Sequence, residues 1–437
     1  RRVTNITYDA LLRQAAPKSG KIVLVDIDEP SLARFHQWPW PRFLLAELTR
    51  RLHGAGARVV AFDIVFAESD RTSPARLQEL MHEHFKIDID LSSIPPAAAD
   101  FDRIFADALA GGRTVLGCYL HQTDQIVTND NWPSDPSYRG YFLTSTHSRN
   151  PVSINTTLFQ ATNITVSIPL LNRSAGNSAF FNVVPDFDTI IRSSPLVWSL
   201  GPKRIYPSLA LEAVRMYLEV PQLRIVFDED GISSLKLRDR IIPTDAAGRL
   251  VINYRTTNRA QKDEQEAAGF ISFPSLSAAD VITGAFDPAA VRDKIVFVGT
   301  SVVGLRDIRA TPFSRFFAGV EINATIADNI LAGDMLRNPA WARHADIALI
   351  FITGMFLTFM IHRGKSWISF LVITLLILAT IQTSLFLLKH YYFVFVPSWV
   401  IVSASLIYVI LTVIKFWQEE WQKRWVRNLF GSMVSPE

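Results

Sequence analysis

The sequence has almost no cysteine: Cys118 stands alone among 437 residues, so no disulfide can form within the chain. Set in the apolar run TVLGCYL, it reads as a small buried residue rather than a redox centre. Also missing are a nucleophile-elbow serine, an HExxH pair, a CxxC pair and a Walker glycine loop. These absences remove the common hydrolase, metalloprotease, thiol-redox and nucleotide-binding readings. No basic stripe with interleaved aromatics occurs and the net charge is only +3, which argues against a nucleic-acid partner. His82 and His84 in MHEHF fall on different sides of a helix, the wrong spacing for a shared zinc ion. No catalytic residue, metal site or cofactor site follows for this chain. The triplets at Asn5, Asn155 and Asn163 fit the N-glycosylation pattern, but such triplets are common by chance and decide nothing.

Charge is sparse in one region above all. Three apolar runs, Ile347 to Ile361, Trp367 to Leu388 and Tyr391 to Ile414, compare with the roughly 20 residues that cross a bilayer as helix. The first is short and leans on Trp341 to Asp346 as an interfacial extension. Lys and Arg are retained on the cytoplasmic side of short connections. The basic turn HRGKS (His362 to Ser366) and the basic run KRWVR (Lys423 to Arg427) therefore belong inside, and the loop around Lys389 to Tyr392 outside. Three crossings leave residues 1–340 outside the cytoplasm, with 341–414 as the transmembrane helices and 415–430 as a cytoplasmic helix. RRVTNITYDALLR is no apolar leader, so an exported domain implies a further span ahead of Arg1. The expected location is the inner membrane, crossed several times.

The outer part is patterned as α/β. KIVLVDI (Lys21 to Ile27) and RVVAFDI (Arg58 to Ile64) are continuous apolar runs of strand length, as in parallel strands covered on both faces. Between them Pro41 opens a helix, Leu44, Leu45, Leu48 and Leu52 form its stripe, and Gly54 ends it: a βαβ unit. A helix at Phe101 to Ala110, a strand at Arg113 to Leu120, the run KIVFVGTS and the helix GVEINATIADNILAGD continue the theme. AFFNVVPD, LRIVF, SSLKLRD and RLVINYR add antiparallel pieces, with SLALEAVRMYL as a helix, so a mixed, largely parallel sheet is predicted. Glu79 to Asp100 and Gln122 to Asn155 keep no period and read as insertions or loops.

The landmarks IVLVDIDEPSL, WPWPR, VVAFDIVFAESD, NVVPDFDTIIRSSPL, YPSLALEA, LVINYR, FPSLSAADVITG, KIVFVGTSVVGLRDIRATPF and GVEINATIADNIL, in that order, resemble the CHASE type 2 sensor domain of bacterial receptors. The resemblance implies an exported ligand-sensing domain, three transmembrane helices and a cytoplasmic output module. RSSPL at Arg192 to Leu196 departs from it, since the family often has paired arginines there.

In open parallel sheets the crevice at the carboxyl ends of the strands is the usual ligand site. Asp26 and Asp28 end the first strand, Asp63 the second, and Gly299, Thr300 and Ser301 follow KIVFV. One reading is a polar pocket: Gly299 allows close approach, Thr300 and Ser301 hydrogen-bond, and the aspartates meet a cation or a donor-rich ligand. The other is that the aspartates cap loops and helix starts while Gly299 merely turns the chain. WPWPR likewise reads as a packed aromatic lid or as a stacking surface. The input is an unknown extracytoplasmic ligand or protein.

Beyond the last span, Trp417, Trp421, Trp425 and Leu429 recur as one apolar stripe on a charged helix. An interfacial helix is one reading; a short dimeric coiled coil suits the later part better, because the stripe runs past the interface. NLFGSMVSPE (431–437 in its last residues) then resembles the opening of class III nucleotide cyclase domains, with Met433 where tyrosine is common. That resemblance implies an adenylate cyclase parent acting as a homodimer, whose catalytic domain holds two divalent ions, Mg or Mn, and makes cyclic AMP from ATP. The alternatives are the same front joined to a histidine kinase, a serine/threonine kinase or a diguanylate cyclase, or a non-signalling membrane adaptor.

Overall fold

The computed structural model describes residues 8–9, 17–122, 142–146, 158–200, 204–228, 231–255, 272–302, 308–337, 342–363, 366–396 and 398–433. They divide into two compact units, Arg13–Met335 and a second formed by Leu336–Glu437 with Arg1–Leu12.

The first unit is built on a seven-stranded sheet. Its strands are β1 (Ile22–Asp26), β2 (Val59–Phe62), β3 (Thr114–His121), β4 (Asn163–Thr165), β5 (Ser178–Phe180), β6 (Ser275–Ser277) and β7 (Ile295–Gly299). The order is β6-β1-β7-β2-β3-β4, with β5 also on β3. All pairings are parallel except β3 with β4. The central strands carry apolar side chains at consecutive positions because both faces are covered. Ile22, Leu24, Val59, Ala61, Val115, Ile295 and Phe297 point into one core and Val23, Val25, Val60, Phe62, Leu116, Val296 and Val298 into the other.

Helices close both faces. On one side lie α2 (Arg42–Gly54), α3 (Phe101–Ala110) and α5 (Ala278–Thr283), which bury Leu45, Leu48, Leu52, Phe105, Leu109 and Val281. On the other lie α4 (Leu209–Tyr217) and α6 (Gly319–Ala332). A short α1 (Glu29–Phe35) follows β1, capped by Asp28 with Pro30 in its first turn. The central helix α6 is buried from Gly319 to Ile330 without a break, polar residues included, and ends at Gly333 with φ of +77°, the left-handed cap that glycine accepts without cost. A second sheet orders Arg240–Pro243, Ile232–Leu237, Leu223–Phe227 and Phe142–Thr146, the first three of these strands antiparallel.

The expected loop at Glu79 to Asp100 is in part helical, with helices Pro74–Phe85 and Pro96–Ala99. Pro74–Phe85 buries none of its residues, so it shows no core-facing stripe to read. Most of 122–155 lies outside the described residues.

The second unit holds the long helices α7 (Ala342–Arg363), α8 (Ser366–Tyr391) and α9 (Ser398–Met433). Two stretches, Trp367–Tyr391 and Ser398–Asn428, are long and apolar enough to cross a membrane; Ala345–Ile361 is a shorter apolar stretch. The run expected to start a helix at Tyr391 instead ends one there, and α9 begins at Ser398, directly after Pro397. Inside the unit, Leu357, Ile373 and Ala404 form a small core, and the Lys415 ammonium donates to the Ile361 carbonyl at 3.0 Å, at the last turn of α7. Residues 415–430 continue the helix of the third apolar run, since α9 passes through them without a break.

Candidate functional site

Because β7 lies between β1 and β2, three strands deliver their carboxyl ends side by side. Asp26 pairs in register with Gly299, and Val298 with Phe62, the residue before Asp63. The chain then leaves β7 as Thr300-Ser301, over the end of β1. The Ser301 backbone N–H donates to Asp26 Oδ1 at 2.9 Å and its hydroxyl to Oδ2 at 2.6 Å. The Thr300 hydroxyl donates to the Ile27 carbonyl at 2.9 Å and accepts from the Val302 N–H at 3.1 Å. Asp26 is 4% exposed. Burial, against the two Ser301 bonds, raises its pKa to about 6, with the Asp28 charge adding to the rise.

Gly299 is required by packing rather than by turning. A Cβ on it would lie 2.7 Å from Val320 Cβ, so glycine lets the start of α6 approach the strand end. That approach brings Asn323 of α6 to Asp63, amide nitrogen to carboxylate oxygen at 3.5 Å, and Asp63 is half-buried. Its backbone N–H continues the sheet ladder to the Val298 carbonyl at 2.9 Å.

Asp28 points elsewhere. Its Oδ1 accepts the Ser31 N–H at 2.9 Å and the Ser277 hydroxyl at 2.9 Å, which makes it the cap of α1 and a tie to β6. The two sequence readings thus divide between residues: Asp28 caps a helix, while Asp26, Gly299, Thr300 and Ser301 form one strand-end cluster with Asp63 and Asn323 on the flanking strand and helix. WPWPR is packed: Trp40 is 1% exposed, donates its indole N–H to the His36 carbonyl at 3.1 Å, and meets Trp38 and Phe35 edge-on at 5.5 Å each.

Two buried charge clusters carry residues that were not among the candidate site residues read from the sequence. Arg42, the last residue of WPWPR, donates its N–H to Asp70 of FAESD at 2.6 Å and lays its guanidinium over Phe66 at 4.5 Å. Asp70 in turn donates its N–H to Asp102 at 2.8 Å. Burial lowers the Arg42 pKa and raises that of Asp102. In the second cluster Arg255, 0% exposed, donates to Asp328 and Asp334 at 2.7 Å each. The available signal was the polar content of α6: Glu321, Asn323, Thr325, Asp328 and Asn329 sit in a helix otherwise apolar all round, and buried polar groups require partners.

Among the described residues no group of acidic, histidine or cysteine side chains is arranged to hold a metal ion. The strand-end cluster joins hydrogen-bond donors and acceptors to a carboxyl whose pKa burial raises to about 6. A family model described as the CHASE2 domain matches residues 1–361. No curated protein and no solved structure matches the chain.

Proposed function

The chain belongs to the CHASE2 domain family, and from that premise we propose that it is the sensing and membrane part of a receptor governing an adenylate cyclase. Residues 1–340 lie outside the cytoplasm and take the input at the strand-end cluster of Asp26, Asp63, Thr300 and Ser301. Helices α7, α8 and α9 cross the inner membrane, α7 completing its short apolar stretch with Ala342 to Asp346.

The observation that carries this reading is α9. It is unbroken over 36 residues, about 54 Å at 1.5 Å per residue, against a hydrocarbon core of roughly 30 Å. Its first half is apolar; from Lys415 on it is charged, with Trp417 70%, Trp421 71% and Trp425 58% exposed. A helix of that length and division leaves the membrane and continues into the cytoplasm as a rigid lever. The tryptophan stripe, extended by Leu429, pairs it with a second copy, and the phrase FGSMVSP leads into a class III catalytic domain. The basic turn at His362 to Ser366 and the run Lys423 to Arg427 support this orientation. Large apolar side chains exposed along all three helices, among them Phe351, Met355, Trp367, Phe370 and Leu406, need lipid to cover them.

Expressing the whole reading frame in cells that lack adenylate cyclase tests the proposal. Cyclic AMP is expected to accumulate. Its absence from cells containing the folded protein, with cyclic di-GMP or a phosphorylated histidine found instead, overturns the cyclase assignment.

A further inference from the structure

The two places where the chain connects the sensor unit to its surroundings, residues 17–20 before β1 and residues 333–335 after α6, meet on one buried cluster. Ser19 donates its N–H to both oxygens of Asp328, at 3.1 and 3.3 Å, and its hydroxyl to Oδ1 as well. The other Asp328 oxygen accepts Arg255 Nε at 2.7 Å, and Arg255 Nη2 reaches Asp334 at 2.7 Å. Asn253, two residues before Arg255, donates its side-chain amide to the Asp334 carbonyl at 3.0 Å and exchanges bonds with Asn329 at 2.9 and 2.8 Å. Arg255 and Asp328 are 0% exposed and Asp334 4%. Removing any one charge from such a set strands the others without water, so the set holds or opens as a whole.

The same helix that carries Asp328 begins at the strand-end cluster. Val320 packs on Gly299, Asn323 faces Asp63, and Asp328 lies five residues further on, in a helix buried along nearly its full length. Its 14 residues span about 21 Å. A buried rod between packed neighbours shifts as a unit rather than bending, because close-packed interiors transmit displacement.

We propose that α6 is the transmission rod of the sensor, coupling the Asp63–Asn323 contact at the strand ends to a clasp of Ser19, Asp328, Arg255 and Asp334 that locks the incoming and outgoing chain segments together. Input at the strand ends moves α6 along its axis, and the clasp converts that movement into a joint release or tightening of both segments. This rests on the receptor reading above but is tested without any output domain.

Hydrogen–deuterium exchange on the intact chain in detergent, resolved by peptide, reads it directly. Asn323→Ala is expected to speed exchange about tenfold in 328–335 and also in 17–20, while α3 on the opposite face of the main sheet stays unchanged. Asp63→Asn, a milder change on a half-buried group, is expected to move the same two segments in the same direction and serves if the first variant folds poorly. Ser19→Ala is expected to loosen 333–335 together with 17–20. Effects of the Asn323 and Asp63 changes confined to 319–324 overturn the rod; a Ser19→Ala effect confined to 17–20 overturns the shared clasp. Either failure leaves the cyclic AMP test above untouched, since that test does not depend on how the signal travels.

Discussion

Replacing Asp26 with Asn isolates a strand-end carboxyl whose pKa burial raises to about 6. Folding raises its pKa from 3.8 to about 6. A carboxyl so raised binds its proton more tightly in the folded state. Its contribution to stability is therefore present below pH 3.8 and lost as pH rises through 6. At 1.36 kcal/mol per pKa unit the loss is about 3 kcal/mol by order of magnitude, with little discount for screening at 4% exposure. Asparagine keeps an oxygen for the Ser301 N–H, and the Ser301 hydroxyl can turn to accept from the new amide, so the hydrogen bonds survive in number. Urea unfolding of the chain in detergent, followed at pH 4.5 and pH 7.5, reads the difference. Wild type should lose more stability than Asp26→Asn between these values by about 2 kcal/mol, the first part of the loss already lying below pH 4.5. Other titrating groups cancel in that comparison. Equal losses in the two proteins would refute the reasoning and leave Asp26 no charge change to offer an input.

Gly299→Ala should lower stability by about 1 to 3 kcal/mol, seen as a fall in Tm, because the new Cβ would sit 2.7 Å from Val320 Cβ and force α6 away from the strand end. Retained Tm would mean the approach of α6 is looser than described. Asp28→Ala should cost about 0.5 to 2 kcal/mol of stability, as for a lost helix cap, while leaving any response to an extracytoplasmic input intact; loss of response at unchanged stability would restore Asp28 to the site. A reporter active only in the cytoplasm, fused after Asp334, should stay silent, and activity there would reverse the topology.

The sheet was legible because its strands are covered on both faces. KIVLVDI, RVVAFDI and KIVFVGTS show as uninterrupted apolar runs, and each became a central strand. Position at the strand ends followed from the fold class, which is why Asp26, Gly299, Thr300 and Ser301 could be chosen together. Asp28 belonged with them by proximity in sequence, yet the Pro at the start of the next helix marked it as a cap. Arg255 was invisible. Its partners Asp328 and Asp334 lie 73 and 79 residues away, and nothing local in LVINYR tells that its arginine turns inward. The polar content of α6 showed that Asn323 needs a partner but not which one, its contact with Asp63 closing across 260 positions. Pro74–Phe85 escaped because a helix that buries nothing imposes no period of burial on its sequence.

The central claim, that an extracytoplasmic sensor governs a cyclase through a continuous helix, is tested most directly by the cyclic AMP output of the full-length protein carrying insertions after Gln422. One added residue turns everything downstream by about 100°, whereas seven restore the original face to within about 20°. The single insertion should change basal output or response strongly and the seven-residue insertion should return both toward wild type. If both insertions leave output and response intact, α9 is a passive tether and the coupling reading is wrong.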